Sequence, residues 1–367
     1  MHMKTTFAGA CGILLVAALA AGVAAREWTE ADFEQKPYLH KPLYVVMSSN
    51  LDQANSVVGD VLFHRVSKDD TFLDLARYYG LGANEMEEAN PGVNAWTPWL
   101  DERGKEWDRA VILPTQWVMP DVEPRGLIVN IPEMRLYYFH PTKKVEYGVP
   151  LVTFPVGLGR EEWRTPQGRF KIRGKTVNPT WNIPASIRAE RTAEKGFSET
   201  SIPGGAPDNP LGKYRFELTM AGSYAIHGTN IPWGVGMQVS HGCVRLYPED
   251  IERLFPMVPV GTQGGFIYQP VKIGARNGKI YAEVHRDIYK LTPGPYKEAL
   301  DILTKRGWVD HVDSARLARA VEEQSGVPMI ISREDTGGDD LEEEVIRLPG
   351  RRPRASADAP PARRRVD

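Results

Sequence analysis

The sequence predicts a mainly β protein: a β-sandwich-type central domain, a small α+β module before it and an α/β appendage after it. Three observations lead there. Short alternating apolar runs crowd residues 125–272, 34 glycines and 29 prolines punctuate the chain with turns, and a strand-helix-helix-strand pattern precedes the β-rich part. The 367 residues exceed one ordinary domain, and a hydrophobic content of 42% is enough to build real cores. A net charge of −2 gives no electrostatic argument for nucleic acid, and no basic face interleaved with aromatics appears in the folded-looking part.

Taken in order, residues 1–25 form a secretory signal, with Lys4 ahead of the apolar run "FAGACGILLVAALAAGVAA" and small residues at its end. The competing reading is an uncleaved anchor, and the expected location is the periplasm. Residues 26–59 read as an irregular lead-in. Between 60 and 120, "FHRVS" suits a strand and "KDDTFLDLARYYG" a helix, with Leu73, Ala76 and Tyr79 on one stripe and Asp70 or Thr71 near the N-cap. "ANEMEEANPG" suits a second helix and "AVILP" a closing strand, after an insertion carrying Trp96, Trp99 and Trp107. On "HRVSKDDTFLDLARYYG", "EEANPG" and "VILP" this segment resembles a LysM peptidoglycan-binding module. A purely structural role is the competing reading.

The central domain, 125–272, begins with "GLIVNIPEMRLYYF" and continues through "VEYGVPLVTFPVG", "GRFKIRGK", "YRFELTM", "SYAIHG" and "GGFIYQPVKI". Residues 178–212 interrupt these runs with little strand pattern, which suits an active-site cap. The appendage, 273–334, opens on a hairpin turning at Asn277-Gly278. Two helices follow, ended by Gly307 and Gly326, and "VPMIIS" reads as one more strand. From 335 to 367 an acidic block and Arg clusters among Pro and Ala predict disorder.

The chemistry centres on "MQVSHGCVRLYPED", residues 237–250. Cleavage of the signal removes Cys11, leaving Cys243 as a lone thiol in an oxidising compartment, so an intrachain disulfide is excluded. A reactive thiol needs a base or a positive field. His227, at the end of the strand in "SYAIHGTN", is the favoured base because it can approach from a neighbouring strand; His241 would crowd Cys243 from the same face of an extended segment. The Gly228 carbonyl is the nearest acceptor to orient His227 Nδ1. Backbone N–H groups of Gly242 and Cys243 are candidate oxyanion donors.

"HGTN" followed by "SHGCVRL", together with "IVNIPEMRLYYF", "TPQGRFKI", "NPTWNIPASIR" and "PDNPLGKYRFEL", resembles the L,D-transpeptidase (YkuD-type) catalytic domain family, in its envelope branch. The resemblance implies Cys243 as nucleophile, His227 as base oriented by Gly228, His241 and Gly242 as catalytic support near the oxyanion, and Arg245 on the substrate side. It implies peptidoglycan stem tetrapeptides as donors, release of D-alanine, no cofactor and sensitivity to carbapenem-type inhibitors. The acceptor is left open among a second stem peptide, a lysine of an outer-membrane protein and water. Ser240 reads as a turn residue or a substrate contact rather than a nucleophile, Arg245 as a substrate contact or a partner of the "PED" carboxylates, and Trp233 as a groove lining or loop packing. A zinc site from His227, His241 and Cys243 and a non-catalytic wall-binding protein are the rival classes.

Overall fold

The computed structural model describes residues 44–46, 56–140, 149–196 and 199–333. The signal segment, most of the lead-in and the tail from 335 lie outside them. Among the described residues no helix is long and apolar enough to cross a membrane.

β1 (Tyr44–Val46), within the segment read as an irregular lead-in, joins the central sheet, and the first unit contains β2 (Val57–Gly59), β3 (Leu62–Arg65), α1 (Phe72–Tyr79), α2 (Ala83–Ala89), β4 (Ala110–Leu113) and β5 (Gln116–Val118). β3 pairs antiparallel with β4, and β2 with β5. Thr71 caps α1 by accepting the Asp74 N–H at 3.1 Å, and Gly80 ends it in the left-handed conformation, φ 68°. The buried stripe is Phe72, Leu75 and Ala76, with Leu73 only half-buried. Trp99 joins this core while Trp96 and Trp107 stand exposed.

The central unit runs through β6 (Gly126–Asn130), β7 (Arg135–Phe139), β8 (Val149–Pro155), β9 (Leu158–Gly159), β10 (Gly168–Val177), β11 (Trp181–Asn182), α3 (Ala185–Lys195), β12 (Ser201–Ile202), β13 (Tyr214–Leu218), β14 (Ala225–His227), β15 (Gln238–Ser240), β16 (Val244–Arg245), α4 (Pro248–Met257) and β17 (Gln263–Ile267). Nine strands make one sheet in the order β1-β8-β7-β6-β17-β10-β13-β14-β16. The sheet curls on itself. Val152 and Phe154 near one end share a core with Val244 at the other, and Gly157 exchanges both backbone hydrogen bonds with Arg245, at 2.8 and 2.9 Å. The mainly β expectation holds, with the sandwich realised as a nearly closed sheet.

"GLIVNIPEMRLYYF" is a hairpin rather than one strand, turning through Met134 at φ 54°. Every residue of β6 and β7 is buried, although the sequence alternates. The reason is that both faces are covered. Leu127, Val129, Leu136 and Tyr138 face the central core; Ile128, Tyr137 and Phe139 face the core of the first unit. The cap segment, 178–212, is more regular than expected, with β11 paired to β12 and the polar helix α3 between them.

The last unit comprises β18 (Val271–Arg276), β19 (Lys279–Val284), α5 (Pro295–Arg306), α6 (Ser314–Glu323) and β20 (Met329–Ile330). Asn277 and Gly278, at φ 53° and 79°, make the tight turn that joins β18 to β19. α6 stops at Gln324, φ 44°, two residues before the expected Gly326.

Buried ions tie the units together. Arg135 grips Glu85 of α2 at 2.6 Å, with both side chains essentially out of solvent. Lys272 Nζ bonds Glu133 at 2.9 Å and Glu283 at 2.7 Å, and donates to Tyr137 Oη at 3.2 Å. Glu283 also accepts the Val118 N–H and bonds His285 Nε2 at 2.7 Å. Glu133, Glu283 and His285 lie close enough to share a metal ion, yet the Lys272 ammonium already bonds both carboxylates.

Candidate active site

The site sits at the β13-β14-β16 end of the sheet. β13 pairs antiparallel with β14, setting Arg215 opposite His227, and β14 pairs parallel with β16, setting His227 opposite Arg245. Phe216, Ile226 and Val244 point into the core and are fully buried. Strand alternation therefore places Arg215, His227, Arg245 and Cys243 together on the other face. Cys243 precedes Val244, which makes it a diagonal neighbour of His227.

His227 is fixed by its own backbone. Its Nδ1 lies 2.6 Å from the Gly228 carbonyl oxygen, which can only accept, so Nδ1 carries the proton and Nε2 keeps its lone pair. The 240–243 turn is stapled by Ser240, whose Oγ donates to the Cys243 carbonyl at 2.6 Å and accepts the Gly242 N–H at 3.1 Å. Two expectations change as a result. Ser240 is buried with its hydroxyl bonded on both sides within the turn, which it holds in shape. The Gly242 N–H is already engaged, which removes it as an oxyanion donor. Gly242 itself is required, since its φ is 100° and a Cβ there would lie 2.6 Å from the Tyr224 ring.

Burial, reinforced by the Arg245 and Arg215 charges, pulls the His227 imidazole down to about 3 against the opposing bond from Gly228. Burial pushes the Cys243 thiol up, against the Ala225 N–H, Arg245 and Arg215. Both groups are therefore neutral near pH 7. The thiol donates to the Ser223 carbonyl at 3.8 Å.

His241 does not share an extended face with Cys243, because the turn rotates it away. Its Nε2 lies 2.6 Å from Glu190 Oε2 on α3 and 2.8 Å from an Arg160 nitrogen, and Trp163 packs against the ring. Arg160 also bonds the other Glu190 oxygen, at 2.8 Å. His227, His241 and Cys243 thus do not converge on a common point, and the zinc geometry is not met. Arg245 makes no ion pair with the "PED" carboxylates: Glu249 is held by Arg77 of α1, at 2.9 Å through both oxygens. Trp233 projects, 38% exposed, from a 3-10 turn over Pro232–Gly234. The loop it stands on is anchored from outside, with Ala83 and Asn84 at the start of α2 donating to Val235 and Gly236 carbonyls at 3.2 and 3.3 Å.

Sequence reasoning missed Arg215, Arg160 and Glu190. The alternation in "YRFELTM" assigns Arg215 a face, but only the sheet register puts it beside His227.

This arrangement sets a cysteine and a histidine together on one face of a curled β sheet, and comparison with known proteins gives the family. Residues 124–273 match the YkuD L,D-transpeptidase catalytic domain. Over 314 residues the chain is 33% identical to the probable L,D-transpeptidase ErfK/SrfK of Salmonella typhimurium, covering 79% of this chain and 96% of the relative. It is 35% identical to the probable L,D-transpeptidase YbiS of Escherichia coli, over 69% of this chain and 81% of the relative. A solved structure, the catalytic domain of the E. faecium L,D-transpeptidase acylated by ertapenem, overlaps 40% of this chain and 100% of that one, at 18% identity and a TM-score of 0.29. The chain belongs to the L,D-transpeptidase family.

Proposed function

We propose that the protein is a periplasmic peptidoglycan L,D-transpeptidase in which Cys243 forms the acyl-enzyme. Cys243 Sγ attacks the carbonyl carbon of the third residue of a tetrapeptide stem while its proton passes to His227 Nε2. The resting pair is neutral, so proton transfer accompanies attack rather than preceding it. The Cys243 N–H meets the developing oxyanion. Collapse breaks the carbon–nitrogen bond, and His227 returns the proton to the departing D-alanine amine. An amine acceptor, from a second stem peptide or an outer-membrane protein, then attacks the thioester and regenerates the thiol. Water at that step would make the same site a hydrolase.

The observation that supports this most is the register that sets His227 and Cys243 on one face, with His227 Nδ1 locked by Gly228. Cys243→Ala is expected to abolish D-alanine release from a tetrapeptide while the fold is kept. Turnover retained in that variant would rule the mechanism out. The first unit serves, in this reading, as a LysM-like wall reader with Trp96 and Trp107 as exposed sugar-stacking surfaces.

A further inference from the structure

Glu190 on the cap helix α3 reaches His241, two residues from Cys243, and its carboxylate is clasped through one oxygen by Arg160 and through the other by His241. Arg160, Glu190 and His241 are 37%, 28% and 22% exposed, so the clasp lies at the rim of the site and is open to exchange. Arg160 in the clasp, and Arg245, which feels the Arg160 charge, each keep a buried Nε without a hydrogen-bond partner among the described residues. A buried guanidinium N–H left unbonded is costly, and a planar carboxylate is the group that fits it.

We propose that Arg160 and His241 form a subsite for a carboxylate of the donor peptide, and that Glu190 fills this subsite in the free protein as an internal stand-in that the donor displaces. The proposal rests on the stem-peptide reading, since such a donor carries two candidate carboxylates, one on the side chain of its third residue and one at its C-terminus. Displacement exchanges one carboxylate for another on the same Arg160 and His241 groups and releases the partly exposed Glu190 side chain to solvent. Glu190 then acts as a tethered competitor that must leave before the donor seats.

The test is calorimetric binding to Cys243→Ala protein, which needs no turnover. Three ligands are compared: the tetrapeptide, the same peptide with its third-residue side-chain carboxylate amidated, and the same peptide with its C-terminus amidated. Adding Glu190→Gln should tighten the tetrapeptide about fivefold, the scale of one partly exposed charge pair. That gain should vanish with whichever amide removes the carboxylate that uses the subsite, while Arg160→Gln should weaken the tetrapeptide and erase its preference over that amide. Unchanged or weaker binding with Glu190→Gln, or a gain kept by both amides, overturns the proposal. D-alanine release by the native chain separates the two claims: release without the Glu190 effect sinks the subsite alone, and the effect without release sinks the transpeptidase reading alone.

Discussion

At the scale of single residues, the neutral His227–Cys243 pair has a signature in pH. With the imidazole held down to about 3 and the thiol pushed up, kcat/KM should be flat from about pH 7.5 to 5, below the ordinary imidazole value of about 6.5. An acid limb centred on that ordinary value would show that His227 is not the buried neutral base described here. Ser240→Ala offers a second check. It strips the Gly242 N–H and the Cys243 carbonyl of their shared partner, so the melting temperature should fall by the equivalent of about 1–3 kcal/mol, with thiol alkylation retained. The His227–Gly228 contact was legible in the sequence because it joins adjacent residues. The Arg160–Glu190–His241 clasp was not, since its members are 30, 51 and 81 residues apart and no local pattern links them.

Among the elements, α3 was readable in principle. "ASIRAERTAEK" has strong helix formers after Pro184, but it lacks the apolar stripe that marks a buried helix, so it passed for loop. The opposite error came at β6 and β7, where alternation suggests one wet face and packing by the first unit leaves none. The contact of α2 with the 228–237 loop gives a prediction at this scale. Gly236 has φ 80°, and a Cβ there would lie 2.2 Å from the Ala83 nitrogen. Gly236→Ala should therefore part α2 from the loop, seen as faster proteolysis in that loop and lower turnover. Equal proteolysis and equal turnover would show that the contact does not position the site.

For the molecule as a whole, buried ions decide how the three units behave. Lys272→Met would remove the one ammonium that bonds both Glu133 and Glu283, a loss of about 3–5 kcal/mol, and denaturation should remain a single transition at a lower midpoint. A separate early transition of the appendage would show that the network does not couple the units. Burial pulls His285 down, but its bond to Glu283 and the Glu88 carboxylate 3.9 Å away override this and raise it to about 10. A histidine raised in the folded state stabilises fully below its unfolded value of about 6.5, so this contribution is lost as pH rises from there through about 10. The way the units are fused could not be read from the sequence, because Glu85, Glu133, Lys272 and Glu283 look like surface charges until the fold buries them.

The central claim is a thioester on Cys243 formed with the help of His227, and intact-protein mass spectrometry with peptide mapping tests it most directly. The purified chain is incubated with ertapenem or a stem tetrapeptide and trapped in acid. The account predicts one acyl adduct, on the peptide containing Cys243, absent in Cys243→Ala and formed about a hundredfold or more slower in His227→Ala. An adduct on another residue, or one formed equally fast without His227, would contradict it.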